Sequence, residues 1–328
     1  MIASASGLDW QRSQDALRAE VERVTALLRS IRDPAAGAAM GQWSLAEVAL
    51  HLSQVWLGVP GLARQDLSAV YAVVPSREGM AGDSLVRDIA DLGELTTLAV
   101  RSDPERDLGV LADRIEASAK EYFAECARQS PDELRPWLIQ GITLPLAAFT
   151  GHLLNETVVH GYDIARAAGR PWRIDPSHAS LVLHRFLIPV LQAADPRALV
   201  DPDTTAGVRA VYELRIRGGD RFHFIFDGGA LRVETPSARR VDCVISADPV
   251  GFLLVVWNRK SQWPANAQGR PVAWGRKPGL GHRVRDVRRN AGPAQAGGWR
   301  PQRVRDVRGV RARGECRPRC RRGRRAVP

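Results

Sequence analysis

The stretch GHLLNETVVHGYDIARAAGR, residues 151–170, places His152, Glu156 and His160 four residues apart within an apolar helical pattern. Four residues turn an α-helix by about 400°, so the three side chains share one flank. The side chains between them are mostly apolar, which predicts a helix buried on most sides. A buried carboxylate and buried imidazoles must pair with each other, bind a metal or change their protonation state. The stretch therefore predicts a helical core that holds either a polar network or a metal.

Length and composition indicate a globular protein of about two domains. The chain has 328 residues, of which 45% are hydrophobic. It contains no run of eighteen apolar residues, and its first ten residues, MIASASGLDW, lack a basic flank followed by an apolar core. We therefore expect neither a membrane span nor a signal peptide. Four cysteines are too few for a disulfide scaffold, so a reducing cytoplasm is the expected location.

The net charge of +11 comes from one end of the chain. Residues 282–328 contain sixteen arginines and three acidic residues, a net charge of +13, which leaves −2 for residues 1–281. This segment is rich in Gly and Pro and poor in large aliphatic residues, so we expect it to be disordered. Either it contacts nucleic acid or another anionic surface through phosphate attraction, or it is an appendage without a selected role. The folded part is not basic.

The first half of the chain has helical periodicity, and its clearest helix start lies in WSLAEVALHLSQVWLG, residues 43–58. Ser44 followed three residues later by Glu47 predicts a capping box, and Gly58 and Pro60 are expected to end that helix. His51 falls on its apolar side. The other helices are predicted at residues 9–32, 83–100, 104–129 and 144–168.

Helix bundles build metal sites from side chains of facing helices. His51 can meet Glu156 and His160, and two imidazoles with one carboxylate leave a fourth position for water or substrate, as in catalytic zinc sites. Zn²⁺ is the first choice, while Ni²⁺, Fe²⁺ and Mn²⁺ accept similar ligands. His152 is either an alternative ligand or a pocket wall. Asp163 either orients the ring of His160 or caps a neighbouring element.

At these residues the sequence resembles the DinB-like metal-dependent bundles, and among them the mycothiol-dependent maleylpyruvate isomerase group. The resemblance rests on WSLAEVALHL and HLLNETVVHGYDIARAAGR and covers about residues 8–170. It implies an up-down helix bundle over residues 1–170, with His51, Glu156 and His160 at the three metal-ligand positions of the family. It also implies mycothiol as the thiol cofactor.

Residues 171–281 differ in pattern, because a connecting helix is followed by alternating apolar and polar residues. DGG predicts a hairpin between the second and third of four strands, and the apolar run PVGFLLVVWNRKSQW predicts a further helix. The expected fold class is α+β, with a small antiparallel sheet covered by helices on one side. This order and the closing SQWPANAQGRPVAWGRKPGLG resemble a sterol-carrier-like domain, whose interior is either a lipid cavity or an ordinary core. The predicted strands lie in VYELRIRG, RFHFIFDG, ALRVETPS and DCVISADP.

Two functions of different classes follow. The first is an isomerase or thiol transferase in which the metal and mycothiol act on a small electrophilic, anionic molecule, because a cation stabilises the thiolate form of a thiol. In that function Arg259 is the candidate catalytic anion clamp, since a guanidinium pairs bidentately with a carboxylate; alternatively it is a solvated charge at a helix end. The second function is a non-enzymatic lipid or small-molecule carrier or regulator with a structural metal. We expect a monomer or a weak dimer.

Overall fold

Packed helices form the first half of the chain, and a small sheet with its own helices forms the second half. The computed structural model describes residues 7–34, 37–66, 68, 70, 72, 86, 89–201, 205–260 and 272–275. Within these residues the predicted α+β order, a helical region followed by a small sheet domain, is confirmed. The Arg-rich segment 282–328 and most of the closing stretch 261–281 lie outside the described residues.

The helical region begins with α1 and alternates long helices with two short hairpins. Capping side chains account for two of the helix starts. The Ser44 hydroxyl accepts the amide of Glu47, and the Glu47 carboxylate accepts the amide of Ser44 at 2.7 Å, which is the predicted capping box. Asp107 caps α4 through the amides of Gly109 and Val110. The elements are α1 (Gly7–Ser30), β1 (Ala38–Met40), β2 (Trp43–Ser44), α2 (Leu45–Ala63), α3 (Ile89–Ser102), α4 (Leu108–Cys126), β3 (Leu134–Pro136), β4 (Thr143–Pro145) and α5 (Leu146–Ala167).

Four of these helices form a bundle in which α1 and α2 each pack against α4 and α5. Helix α5 is buried along almost its whole length, as its apolar pattern predicts. Its buried hydroxyls are hydrogen-bonded: Trp10 donates its indole N–H to Thr150 at 2.9 Å, and Trp56 donates to Thr157 at 3.2 Å. These two hydroxyls of α5 are therefore hydrogen-bonded by residues of the neighbouring helices α1 and α2.

Helix α2 is longer than the sequence predicts. Gly58 and Pro60 do not end it, and the helix continues to Ala63 with Arg64 as its C-cap. A proline removes one N–H and crowds the carbonyl four residues before it, but the residues after it can still form helical backbone hydrogen bonds. The amide of Arg64 does so, because it donates to the carbonyl of Pro60 at 3.0 Å. The prediction that this helix ends at Gly58 and Pro60 is wrong for that reason.

The helix that follows the bundle contains a π-helical turn. Helix α6 (Pro176–Val182) leads into the turn Leu183–Leu187, which leads into α7 (Ile188–Ala193). Pro189 has no N–H to give to the carbonyl of Arg185, and this accounts for the widened turn at that point. The turn packs directly on Gly151 of α5, where an added Cβ would lie 2.9 Å from the carbonyl carbon of Arg185. Gly151 therefore permits a close contact of two backbones.

The sheet has the strand order β7-β6-β5-β8-β9. Pairing is antiparallel except between β5 and β8, which run parallel, so the expectation of a purely antiparallel sheet is wrong at this pair. After β7 the chain crosses β6 and β5 without forming a helix. It then forms β8 next to β5, on the side opposite β6, and β8 runs in the same direction as β5. The alternation of apolar and polar residues predicts which face of the sheet each side chain occupies. It does not predict whether the neighbouring strand runs parallel or antiparallel. The elements are β5 (Arg209–Ile216), β6 (Arg221–Asp227), β7 (Leu231–Glu234), β8 (Cys243–Ala247), α8 (Pro249–Val256) and β9 (Val272–Gly275).

The inner face of the sheet packs against the π-helical turn, α7 and α8. Leucine and isoleucine side chains of the helices meet Leu214, Phe222 and Phe224 of the sheet. The cavity left between them has a volume of about 10 Å³, which is room for one water molecule. These described residues therefore form a filled core rather than a lipid-sized space.

The described residues of the bundle and the sheet belong to one compact unit. The predicted boundaries at residues 170 and 281 stay predictions. Gly169, with φ of +63°, follows the end of α5 as expected for a helix that stops in the left-handed conformation. None of the described helices is both long and apolar enough to span a bilayer.

The close contact at Gly151 leads to a stability prediction. Gly151→Ala is expected to lower the free energy of unfolding by about 1–3 kcal/mol, because the new methyl group would force two backbones apart. Gly58→Ala is the matched control: it lies in a helix with nothing within 4 Å of an added Cβ, so it should raise stability by up to about 1 kcal/mol. Urea unfolding of both variants measures the difference, and equal effects would contradict the close packing.

Candidate metal centre

His51 of α2 and Glu156 and His160 of α5 come together in the bundle, as the sequence predicts. One ligand atom from each lies within 4.8 Å of the others. Nε2 of His160 is 3.1 Å from Oε2 of Glu156, and Nε2 of His51 is 3.6 Å from the same oxygen. The two imidazole rings meet edge to face with their centroids 4.9 Å apart. The arrangement offers two nitrogens and one oxygen to a common point.

The packing of α2 on α5 places this cluster. His51 lies between the fully buried Leu50 and Leu52, and the ring of Trp43, just before α2, lies 5.5 Å from it. The side chains of His51 and Glu156 keep 10% and 12% of their surface exposed. The cluster is therefore buried but has an edge toward solvent.

The two oxygens of Glu156 have different neighbours. Oε2 faces His51 and His160. Oε1 accepts a hydrogen bond from the side-chain amide Nδ2 of Asn155 at 3.0 Å and lies 3.7 Å from Nε2 of His152. Among the described residues, the ion pairs of Glu156 are all with imidazoles and none is with a lysine or arginine. A buried carboxylate needs a positive partner, and here only an imidazolium or a bound cation can supply it.

The protonation states of Glu156 and His51 suit metal ligands. Burial opposes the charge of Glu156, but hydrogen bonds from His160 and His51 outweigh it and hold the pKa of Glu156 well below its ordinary value. Burial lowers the pKa of His51 by more than the neighbouring Glu156 raises it. At neutral pH Glu156 is thus a carboxylate and His51 a neutral imidazole, which are the forms that bind metal.

A chain of contacts extends from His160 to the second half of the protein. Nδ1 of His160 lies 3.3 Å from Oδ2 of Asp163, and the same oxygen lies 2.5 Å from Nη2 of Arg259. Burial lowers the pKa of His160, yet Asp163 and Glu156 outweigh it and raise that pKa overall. Burial raises the pKa of Asp163, but the hydrogen bonds from His160 and Arg259 lower it overall. Asp163 therefore contacts the ring of His160 as the sequence suggests.

That contact gives an argument for a cation. If Nδ1–H of His160 donates to Asp163, the lone pair of Nε2 points at the carboxylate oxygen of Glu156. Two acceptors cannot face each other at 3.1 Å, so either a proton on Nε2, as in the imidazolium that the raised pKa of His160 favours, or a cation must lie between them. Two imidazole nitrogens and one carboxylate oxygen within 4.8 Å of one another are a donor set that fits a divalent metal ion in place of that proton.

Arg259 lies three residues beyond α8 and is buried rather than solvated, with 10% of its side chain exposed. Its Nε donates to Asp163 at 3.1 Å and its Nη1 donates to the carbonyl of Trp257 at 2.6 Å. Nη2 contacts both Asp163 and the sulfur of Met40. The alternative of a solvated charge at a helix end is wrong, because the guanidinium forms an internal ion pair that joins the sheet half to α5.

Sequence reasoning missed three side chains of this site. Trp137 donates its indole N–H to Nδ1 of His152 at 3.3 Å, and Trp257 donates to Oδ1 of Asn155 at 2.8 Å. Trp137 and Trp257 reach α5 from remote parts of the chain, and a single Trp in a loop or at a helix end carries no periodic signal. Asn155 adjoins a predicted ligand, and its position beside Glu156 was the one available signal.

One family model matches the helical half of the chain. Residues 17–165 match the family model described as mycothiol maleylpyruvate isomerase N-terminal domain. Two similar solved structures are crystal structures of the mycothiol-dependent maleylpyruvate isomerase and of a histidine-to-alanine mutant of it. Each is 11% identical to this chain and covers 80% of it and 92% of its own length, with TM-scores of 0.46 and 0.45 respectively. A search of curated proteins gave no match.

The buried pair of Asp163 and Arg259 leads to a second stability prediction. Asp163→Asn leaves a buried guanidinium without its carboxylate and should cost about 3–5 kcal/mol in metal-free protein. The double variant Asp163→Asn/Arg259→Met should cost less than the sum of its two single variants, since it removes both charges. Urea unfolding with a chelator present measures this cycle. Glu125→Gln, at the more exposed pair with Arg64, is the control and should cost less than about 1 kcal/mol. Additive effects within about 0.5 kcal/mol at Asp163 and Arg259 would contradict the coupling.

Proposed function

Because residues 17–165 match the family model of the mycothiol maleylpyruvate isomerase N-terminal domain, we propose that the chain is a metal-dependent enzyme of that family and uses mycothiol. It acts as an isomerase or thiol transferase on a small, electrophilic, anionic substrate. The observation that supports this proposal best is the cluster of His51, Glu156 and His160, whose ligand atoms lie within 4.8 Å of one another.

The donor set favours a catalytic metal over a structural one. Structural zinc sites close all four positions with protein ligands, whereas catalytic sites use three and leave one open. Three protein ligands converge here, and the partial exposure of His51 and Glu156 gives a small molecule access to the open side. Zn²⁺ is the proposed ion, and Ni²⁺, Fe²⁺ or Mn²⁺ would find acceptable ligands too.

A divalent cation in this cluster would lower the pKa of a thiol that reaches it and so raise the share of nucleophilic thiolate. The protein's own groups set up that encounter. Asp163 holds Nδ1 of His160 so that Nε2 faces Glu156, and Glu156 stays ionised. These residues therefore keep the ligand atoms in one orientation before any thiol arrives.

Thiol addition explains both reaction types. When a thiol adds to a double bond conjugated with a carbonyl, its sulfur bonds to one alkene carbon and its proton goes to the other. The resulting single bond can rotate, and loss of the same sulfur and a proton restores the double bond in the other geometry. The thiol is then unchanged and the reaction is an isomerisation. If the sulfur stays attached, the product is a thioether and the reaction is a transfer.

Arg259 remains the proposed anion-binding residue, in a revised form. Its described contacts with Asp163, Met40 and Trp257 use four of its five N–H groups. It can therefore offer one N–H to a carboxylate of the substrate or thiol, rather than the bidentate clamp that the sequence suggests. The alternative function of lipid carrier gains no support, because the cavity between sheet and helices has a volume of about 10 Å³.

The metal cluster leads to a direct test. Protein purified without chelator should contain about one divalent ion per chain, and His51→Ala, Glu156→Ala and His160→Ala should each weaken binding by orders of magnitude, because three ligands leave none to spare. Elemental analysis and competition with a chromophoric chelator measure this. His178→Ala, which removes an imidazole paired with Glu20 outside the cluster, should bind like the wild type. Full metal content in all three cluster variants would rule the site out.

Turnover tests the chemistry. With mycothiol present, the metal-loaded protein should isomerise maleylpyruvate, the compound named for its relatives, and chelation should abolish this activity. Arg259→Lys keeps a charge beside Asp163 but loses the planar fork. Its kcat/KM should fall roughly 10- to 100-fold, the loss expected for one charged hydrogen bond, at unchanged metal content. An unchanged kcat/KM would remove Arg259 from the substrate site, and activity without thiol would contradict the cofactor.

A further inference from the structure

Two tryptophan indoles from distant parts of the sequence contact side chains beside Glu156. Trp137 follows β3 in the helical half, and Trp257 caps α8 in the sheet half. Each donates its N–H to a side chain that faces Oε1 of Glu156, namely His152 and Asn155.

The contact with Trp137 settles the tautomer of His152. An indole N–H is a donor and cannot accept, so Nδ1 of His152 must be the acceptor and carries no proton. In the neutral ring the proton is then on Nε2, which lies 3.7 Å from Oε1 of Glu156. The ring is held in place by stacking on Phe186 of the π-helical turn, with centroids 4.4 Å apart. His152 therefore presents an N–H group to Glu156, not a lone pair.

The contact with Trp257 settles the orientation of the Asn155 amide in the same way. Because Trp257 can only donate, the atom of Asn155 that it meets at 2.8 Å is the oxygen Oδ1. The amide nitrogen then points the other way and donates to Oε1 of Glu156 at 3.0 Å. Asn155 is 1% exposed, so its orientation is set by protein groups rather than by water.

We propose that Trp137 and Trp257 are positioning residues. Trp257 fixes Asn155 as a hydrogen-bond donor to Oε1 of Glu156, and Trp137 turns the Nε2–H group of His152 toward the same oxygen, which is 3.7 Å away and so makes no direct hydrogen bond with it. Oε2 is thereby left as the oxygen that faces His51 and His160. This inference rests on the proposed metal site and specifies how that site is oriented: Glu156 is a one-oxygen ligand. His152 is not a ligand, because one ring nitrogen is occupied by Trp137 and the other carries a proton.

The electrostatics agree with this assignment. The ring of His152 is 6% exposed and stacks on Phe186, so protein groups rather than water set its orientation. A neutral donor lowers the energy of the Glu156 carboxylate without competing with a divalent ion for its charge. An arginine at the same place would neutralise Glu156 and weaken its hold on the metal.

The tautomer can be measured without metal or substrate. Long-range ¹H–¹⁵N correlation spectra of metal-free protein labelled at histidine distinguish the Nε2–H form from the Nδ1–H form, and the His152 signal is identified by its loss in His152→Gln. We expect the Nε2–H form at neutral pH, and a mixture of forms in Trp137→Phe, which removes the indole donor. His178, whose Nδ1 is paired with Glu20, should be unaffected by that substitution. An Nδ1–H form of His152 in the wild type would overturn the inference.

Affinity for Zn²⁺ alone tests the positioning role. His152→Leu removes the donor and should weaken Zn²⁺ binding roughly 10- to 100-fold, the usual effect of losing a group that orients a metal ligand. His152→Gln restores an N–H donor and should recover most of that loss. Trp257→Phe, which releases the Asn155 amide, should weaken binding by about 10-fold at most. Thermal midpoints of the metal-free variants confirm that each is folded.

The outcomes separate this inference from the proposed function. If His152→Gln and His152→Leu both lose zinc by orders of magnitude, His152 is a ligand and the inference is wrong. If both bind zinc like the wild type, His152 positions nothing and the inference is again wrong. If the wild type itself binds no zinc, the proposed function fails, while the tautomer measurement still decides whether Trp137 fixes His152.

Discussion

The arrangement of the site depends on one constraint: the carboxylate of Glu156 is buried among imidazoles, and its charge must be compensated there. Glu156 sits in the core of a helix bundle with its charge intact, and its ion-pair partners in the described part of the chain are His51, His152 and His160. Such a group must be compensated, because burying an ionised carboxylate without a positive partner is prohibitively costly. The polar side chains around it are arranged in two sets, one on each oxygen. The proposed cation lies on the side of Oε2, where the Nε2 atoms of His51 and His160 are 3.6 and 3.1 Å away.

The second half of the protein is joined to this site by polar contacts of residues at and beyond the end of α8. Trp257 reaches Asn155 and Arg259 reaches Asp163, so each side chain contacts a neighbour of a predicted ligand and not the ligand itself. The sheet domain thus acts on the cluster through hydrogen bonds of defined direction. The filled core between sheet and helices supports this, since a rigid layer holds the end of α8 in place. Both halves of the protein therefore contribute contacts to the side chains beside the cluster.

The sequence predicted the cluster because helical periodicity is a local property. His51 sits on the apolar side of a capped helix, and Glu156 and His160 share one flank of α5. All three could therefore be assigned to buried helix faces without any knowledge of the fold. The extension of α2 past Pro60 was missed because a proline near a helix end costs one bond and does not stop the residues after it. The parallel pairing of β5 with β8 was missed because alternation carries no direction. Trp137 and Trp257 were missed because their partners lie 15 and 102 residues away, and no local pattern encodes such contacts.

Because Asn155 and Trp257 are 102 residues apart in the sequence, the two sides of this contact are synthesised at different times. The helices that carry His51, Glu156 and His160 are complete once residue 167 has been made. A ribosome adds about 5–20 residues per second, so the chain needs roughly 5–20 seconds more before Trp257 and Arg259 exist. During that interval the bundle can fold with its three proposed ligands in place, while Asn155 and Asp163 still lack the partners that orient them. A nascent chain could therefore take up an ion before the amide and carboxylate beside it are locked, and the arrival of α8 would be the step that closes the finished site.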